Sequence, residues 1–277
     1  MNRLESDYYA YMDYDPVNAK AGLMHYVPLF ADLRAGDGPV LELACGRGEF
    51  LELLREAGIS GVGVDSDDGM VEIARAAGLD VELQDAFAGL AARADRSLRG
   101  VFSAHFAEHL HPADLERLVL DSARALAPGG LFVAATPNAA CQSVMGYDFW
   151  RDPTHVRFYD PRLLAFFCSK AGLEVVKTGG NPRNHPGAPP QTLAPAAHVD
   201  PDLRGDLTAA MRQLANPQNA DWLDPDSPWF VVGHYLSVVE ERLRATQEEL
   251  VGLRRSYAHL LDMLYPSNEV YVVARAR

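Results

Sequence analysis

Cysteine is scarce in this chain: three residues, Cys45, Cys141 and Cys168, with no C-x-x-C pair among them. An odd, scattered set argues against both a disulfide framework and a thiolate zinc site, and buried reduced thiols are the expected state. Long apolar runs are also missing. No stretch approaches the ~18 residues that a membrane-spanning helix requires, and the opening MNRLESDYYAYMDYDP lacks a basic start followed by an apolar segment. The expectation is a cytoplasmic protein without a membrane span. Basic residues fall short as well, 25 Lys and Arg against 38 Asp and Glu, for a net charge of -13. Such a chain repels a polyanion, because nucleic-acid binding depends on cationic side chains that displace counterions from phosphates. No nucleic-acid partner is expected, although Arg151 and Arg157 can still hold a single phosphate or carboxylate.

What is present suffices for a sizeable core, since 48% of the 277 residues are hydrophobic and 23% charged. From 39 to 178, short apolar runs alternate with longer helix-like segments, the pattern of a parallel sheet covered on both faces. The strands expected are Pro39 to Ala44, Gly61 to Asp65, Asp80 to Leu83, Gly100 to Ala104, Leu131 to Ala135 and Glu174 to Lys177. Helices are expected over Gly48 to Ala57, Asp68 to Ala77, Pro112 to Leu126 and Pro161 to Ala171, with Gly58, Gly78 and Gly172 as left-handed stops.

After Thr178 the character changes. Gly179 to Pro195 carries five prolines and three glycines and reads as a loop. Ser227 and Pro228 then make a cap and first turn for one helix running to Leu264, just before Pro266. Val232, Leu236, Val239, Leu243, Thr246, Leu250, Leu253, Tyr257, Leu260 and Leu264 recur at alternating steps of four and three, which is coiled-coil spacing. Pairing of this helix in a homodimer is the reading adopted; the alternative is an amphipathic helix lying on its own domain. Glu269 to Ala274 reads as a last strand that pairs antiparallel with Glu174 to Lys177 and finishes the sheet. The expected organisation is thus an N-terminal helical lid over 1–38, a core over 39–178, a Pro-rich loop and long helix over 179–266, and a returning strand over 267–277. The aromatic start, Tyr8, Tyr9, Tyr11 and Tyr14, with the amphipathic segment through Phe30, is read either as that lid or as packing on the sheet edge.

The strongest chemical signal is VLELACGRGEFLELL, residues 40–54: an apolar strand containing Glu42, then Ala44, Cys45, Gly46, Arg47 and Gly48 opening a helix. Glycines there let the backbone approach a ligand, and the helix start offers free amides. A glycine turn after a strand serves many folds. Two further features narrow it. The next strand ends in Asp65, where a carboxylate can take two ribose hydroxyls. The third leads into Gln84, Asp85, Ala86 and Phe87, an acid or amide for an adenine amino group and a ring to cover the base.

Taken together, ELACGRGEF, GVDSDDGMVEIA, QDAF, FAEHL and LAPGGLFVAATPN resemble successive motifs of the class I methyltransferase superfamily over residues 39–178. The resemblance implies an α/β, Rossmann-like, seven-stranded doubly wound sheet with its last strand antiparallel and S-adenosylmethionine as cofactor across the ends of the first strands; the long helix is then an insertion before the final strand. It implies Glu42, Gly46 and Gly48 at the methionine end, Asp65 at the ribose, Met70 and Phe87 around the adenine and Asp85 at its amino group, with Ala44, Ser66, Ala86 and His105 completing the cofactor set. The third glycine of a nicotinamide site is lacking.

The sulfonium is already an activated methyl donor, so such a protein must align acceptor, methyl and sulfur and remove a proton from a hydroxyl acceptor. Histidine suits that role. His105, His109 and His111 follow the fourth strand and His155 lies in RDPTHVRFYD; His155 and His109 are the catalytic candidates, with cofactor-pocket or loop-anchoring roles as the plain alternatives. DPTHVRFY resembles methyltransferases encoded with polysaccharide and O-antigen assembly enzymes, which implies a sugar hydroxyl or glycan as acceptor, with Arg151, Arg157, Trp150 and Tyr159 around it. The alternatives are another small metabolite, such as a polyketide, phenol or amine, and a non-catalytic scaffold that binds the cofactor. Nucleic-acid amino-methylation is disfavoured because Ser103, Ala104, His105 and Phe106 replace the Asn/Asp-Pro-Pro-aromatic tetrad that grips a flipped base. No metal is expected: His105, His109, Asp114, Asp148 and Asp152 follow no fixed ligand spacing.

Overall fold

The computed structural model describes residues 11, 16–31, 38–184, 228–264 and 266–277. They divide into two compact units, one drawn from residues up to 186 and from 264 onward, the other from 187–263. The first contains α1 (Pro16–Leu23), α2 (Val27–Ala31), β1 (Val40–Leu43), α3 (Glu49–Glu56), β2 (Gly61–Asp65), α4 (Asp68–Ala76), β3 (Val81–Leu83), α5 (Ala86–Ala91) and β4 (Leu98–Ala104). It continues with a 3-10 turn (Ala107–His109), α6 (Pro112–Ala125), β5 (Leu126–Pro137), α7 (Gln142–Gly146), a second 3-10 turn (Asp148–Arg151), α8 (Pro161–Lys170) and β6 (Glu174–Gly180). The second unit holds α9 (Pro228–Leu264), and the chain returns to the first as β7 (Glu269–Arg275).

The sheet order is β3-β2-β1-β4-β5-β7-β6, parallel except for β7, which runs antiparallel to both neighbours. This is the doubly wound, seven-stranded Rossmann-like sheet of a methyltransferase fold. Strands covered on both faces read as nearly continuous apolar runs, and β1 and β5 do. Side chains alternate across the sheet: Phe132, Ala134, Val272 and Ala274 join Leu115, Leu118, Leu164 and Phe167 of α6 and α8 on one face. Val133, Ala135, Tyr271 and Val273 join Tyr26, Phe30, Phe50 and Leu54 on the other. Tyr26 and Phe30 are fully buried there, so the described part of the N-terminal segment is core. Tyr8, Tyr9 and Tyr14 lie outside the described residues.

β7 pairs antiparallel with β6 as expected, and it also pairs with β5, which leaves β6 at the sheet edge. Two expectations about element bounds need correction. β6 continues through Gly179 and Gly180, read from sequence as loop, because they pair with Tyr271 and Val270. β5 starts at Leu126, which pairs with Leu98 before the bulge that precedes Leu131. Among the described residues no helix is long and apolar enough to cross a membrane. On α9 the side chains of Val239, Leu243, Leu250, Leu253, Tyr257 and Leu260 are exposed.

Candidate active site

Where strand order reverses in a doubly wound sheet, the loops leaving two adjacent strands part in opposite directions and leave a crevice at their carboxyl ends. Here that point lies between β1 and β4. The residues that immediately follow these strands, Ala44 (φ 53) and His105 (φ 53), are two of the three non-glycine residues with positive φ among those described. Such conformations cost of order 1–3 kcal/mol and persist where the surroundings enforce them, commonly at functional sites.

The β1 loop is shaped from below by Asp65. Its Oδ2 accepts from the Gly46 amide at 2.8 Å and its Oδ1 from the Asp67 amide at 2.9 Å. Each carboxylate oxygen keeps a further lone pair. Burial raises the Asp65 pKa against these amide bonds. Gly48 (φ 85) packs so closely that a Cβ would stand 2.4 Å from Leu79 Cδ1, so no other residue fits there undisturbed. Glu42, in the middle of β1, is buried with its Oε2 unpartnered; burial first, then the charges of Glu49 and Asp65, raise its pKa well above the ordinary value. A buried acid with an orphan oxygen beside an open backbone loop suits a cationic ligand group, whose arrival would favour the ionised form.

The neighbouring loops supply the other expected contacts. Asp85 caps α5, its Oδ1 accepting from the Phe87 and Ala88 amides at 2.9 and 3.0 Å. Phe87 is half-buried with the Arg117 guanidinium 5.2 Å from its ring centroid. Ser66 is exposed and Ala86 buried. Met70 is completely buried and presents no surface to a base.

His105 is tied into a polar network that the sequence did not suggest. Its Nε2 lies 2.7 Å from Glu269 Oε2 and its Nδ1 3.4 Å from Glu108 Oε1. Glu269 Oε1 also accepts from the Tyr26 hydroxyl and, at 2.8 Å, from Asn181 Nδ2; Glu108 Oε2 accepts from Thr136 Oγ1 at 3.1 Å. Burial alone would lower the His105 pKa, but the two carboxylates hold it well above its usual value. His105 is therefore a cation locked between acids, and has no lone pair to offer as a base. The network ties the turn between α1 and α2 to the segments that follow β4 and β6 and to β5 and β7.

The two catalytic candidates meet. The His109 and His155 rings lie 4.7 Å apart in an edge-on arrangement. His155 Nδ1 lies 2.6 Å from the Phe149 carbonyl, which can only accept, so Nδ1 carries a hydrogen, while its Nε2 lies 3.7 Å from Asp152 Oδ2. Thr154 Oγ1 donates to Asp152 Oδ1 at 2.5 Å and contacts His109 Nδ1 at 2.9 Å; with its proton committed, the hydroxyl accepts from Nδ1, which leaves the lone pair of His109 on Nε2. The Glu108 carbonyl accepts the Val156 amide at 2.7 Å, which docks the 152–158 loop onto the turn after β4. Burial holds the His109 pKa below its usual value.

The expected acceptor residues separate. Trp150 is exposed, its indole donating to the Met145 carbonyl at 2.8 Å. The Arg151 guanidinium lies 5.6 Å from the ring centroids of both Tyr11 and Tyr147, and Arg157 packs 5.0 Å over Tyr159. Tyr159 itself is a correction: it is fully buried in the core and donates to the Leu110 carbonyl at 2.8 Å, so it supports Arg157 rather than facing a ligand. His111 is exposed and stands at the start of α6.

A doubly wound sheet with a strained, glycine-bearing loop, a ribose-type aspartate and an orphan acid at its switch point defines a nucleoside-cofactor enzyme. Residues 17–178, more than half of the chain, match the methyltransferase domain family, and the chain belongs to it. It is 31% identical over 147 residues to a protein of Mycolicibacterium smegmatis named as a probable S-adenosylmethionine-dependent methyltransferase, covering 53% of this chain and 56% of that one. The chain thus spans about half the length of that relative. The solved structure of a SAM-dependent methyltransferase from Archaeoglobus fulgidus is similar over 97% of both chains, with 26% identity and a TM-score of 0.64. The fold is also shared with a chain of the complex between the Haloferax volcanii Trm112 methyltransferase activator and the putative methyltransferase, at 18% identity and a TM-score of 0.54 over 91% of this chain and 89% of that one. S-adenosylmethionine is the cofactor of such a domain, and these groups fit it: the unpartnered Glu42 oxygen would suit a cationic methionine end, the remaining lone pairs of Asp65 ribose hydroxyls, and Asp85 Oδ2 an adenine amino group.

Proposed function

We propose that the chain transfers the methyl group of S-adenosylmethionine to a hydroxyl of a sugar or glycan intermediate, with His155 or His109 taking the proton. The observation that carries this reading is the pair of imidazoles, 4.7 Å apart, whose Nδ1 atoms are both held, leaving the His109 Nε2 and the His155 Nε2 beside Asp152 as the atoms that can take a proton. A neutral imidazole accepts the hydroxyl proton as the oxygen attacks the methyl carbon. Exposed Trp150 offers an apolar face for a sugar ring, and Arg151 and Arg157 offer positive charge to an acidic group. The exposed stripe on α9, at the alternating spacing of a coiled coil, supports pairing with a second copy of the chain.

The test is methyl transfer from isotope-labelled S-adenosylmethionine to panels of nucleotide-linked sugars and glycan fragments, beside panels of phenols and amines. Label in a sugar fraction, lost in His155→Gln or His109→Gln, supports the proposal. Label only in phenols or amines moves the acceptor to another metabolite class, and binding without turnover leaves the chain a cofactor-binding scaffold.

A further inference from the structure

Glu108 is fully buried, and its Oε1 has no hydrogen-bond partner among the described residues; His105 approaches at 3.4 Å without hydrogen-bond geometry. Its other oxygen is fixed by Thr136 at 3.1 Å. Glu108 Oε1 is ion-paired with His105 yet accepts no hydrogen bond, so it keeps lone pairs for a further partner. Beside it are the His109 and His155 imidazoles, the latter with its Nε2 3.7 Å from Asp152 Oδ2. Glu108, His109 and His155 can each place one ligand atom within 4.8 Å of the others.

We propose that Glu108, His109 and His155 form a divalent transition-metal site, of the kind that takes Zn2+ in preference to Mg2+, with a coordination position left open for an oxygen ligand. Two imidazoles and one carboxylate are the donor set that suits a first-row transition ion, whereas Mg2+ demands a shell of oxygens and retained waters. The surrounding groups are those a metal-binding histidine needs: each Nδ1 hydrogen is held, by the Phe149 carbonyl for His155 and by the Thr154–Asp152 pair for His109, fixing tautomer and ring orientation. Bonds of ~2.1 Å to a tetrahedral ion bring ligand atoms to about 3.4 Å of one another, so the three side chains must close by somewhat over 1 Å. Neither imidazole is fully buried, which gives an ion a path in and a fourth ligand a place to bind. The spacing in sequence gives no metal signature, because Glu108 and His109 are adjacent while His155 arrives on a separate loop. Such a site refines the proposed methyl transfer: an ion held by these three residues would acidify a hydroxyl bound in the open position, and the histidines would then serve that proton loss as ligands of the ion.

The experiment is titration of Co2+ alone into chelator-treated full-length protein, read by its visible absorption, followed by back-titration with Zn2+ and separately with Mg2+. The expected result is one equivalent of bound Co2+ with bands stronger than those of the aqueous ion, displaced by Zn2+ and untouched by Mg2+. His109→Gln and His155→Gln weaken binding at least about 100-fold, and Thr154→Val, which leaves the ligands but frees the His109 ring, weakens it roughly 10- to 100-fold; far-UV circular dichroism confirms that each variant is folded. Aqueous-type absorption from folded wild-type protein, or binding that survives either histidine substitution, overturns the site. Calorimetry of S-adenosylmethionine on the same metal-free protein keeps the outcomes apart: cofactor binding without metal binding removes the ion and leaves an imidazole base in place.

Discussion

Glu269 is the residue whose removal the structure makes most costly. It lies 164 positions from the His105 it pairs with, buried, and its two oxygens satisfy His105, Tyr26 and Asn181 together. Replacing it with Ala leaves a histidine cation facing only Glu108 and strands two donors, the Tyr26 hydroxyl and Asn181 Nδ2. Breaking a buried pair from one side costs about 3–5 kcal/mol; the His105 ring is half exposed, so solvent screens part of the loss and the lower end, about 3 kcal/mol, applies. For a domain of this size that lowers Tm by about 6–12 °C. Glu269→Gln keeps an oxygen for Tyr26 and Asn181 but loses the charge, and costs less, about 1–2 kcal/mol. The sign with pH follows from Glu269 itself: burial would raise its pKa, but hydrogen bonds and charge from His105, with Tyr26 and Asn181, hold it below the ordinary 4.5. A carboxyl depressed in the folded state stabilises above its unfolded pKa, and that contribution fades as pH falls through the folded value. The gap between wild type and Glu269→Gln in urea denaturation is therefore full above about pH 5 and narrows below 4.5. An Ala variant within about 0.5 kcal/mol of wild type at pH 7 refutes the reasoning.

Three further outcomes are expected. Gly48→Ala places a left-handed backbone on a residue with a Cβ and drives it against Leu79; strain and overpacking together cost about 2–4 kcal/mol, read by denaturant midpoint. Cys45, Cys141 and Cys168 are all buried, and burial pushes the Cys168 thiol up to about 12 and Cys45 higher still; Ellman's reagent at pH 8 labels none in the native protein and three after denaturation, and rapid native labelling contradicts that packing. Leu250→Asp places a charge in the exposed stripe of α9 and halves the mass measured by light scattering if the helix pairs copies; an unchanged mass removes the dimer.

The parts of the fold set by local chemistry were legible. The apolar run with Glu42, the glycines that open α3 and the stops at Gly78 and Gly172 depend on neighbours a few residues away, and they mark β1, α3, α4 and α8 directly. The position of β7 was not legible, because both β5 and β6 offer it an antiparallel edge and only the assembled sheet decides between them. The site divides in the same way. Asp65 and the glycine loop announce themselves by spacing, whereas the His105–Glu269–Tyr26–Asn181 network and the meeting of Glu108, His109 and His155 arise from residues brought together across the sequence. Tyr159 misled because a tyrosine near a polar loop looks like a ligand contact; its ring belongs to the core, and only its hydroxyl, satisfied by Leu110, meets the polar surroundings.

The account rests on the crevice between β1 and β4 holding S-adenosylmethionine, and calorimetric titration of that cofactor into the purified chain, beside Asp65→Ala, tests it most directly. Asp65 shapes the Gly46 loop and would offer its remaining lone pairs to the ribose, where hydrogen bonds to a charged group contribute about 1.5–3 kcal/mol each. The predicted result is one site per chain in the wild type, weakened about 100-fold or more in a folded variant. No heat from folded wild type, or equal affinity in the two proteins, contradicts the assignment of the crevice.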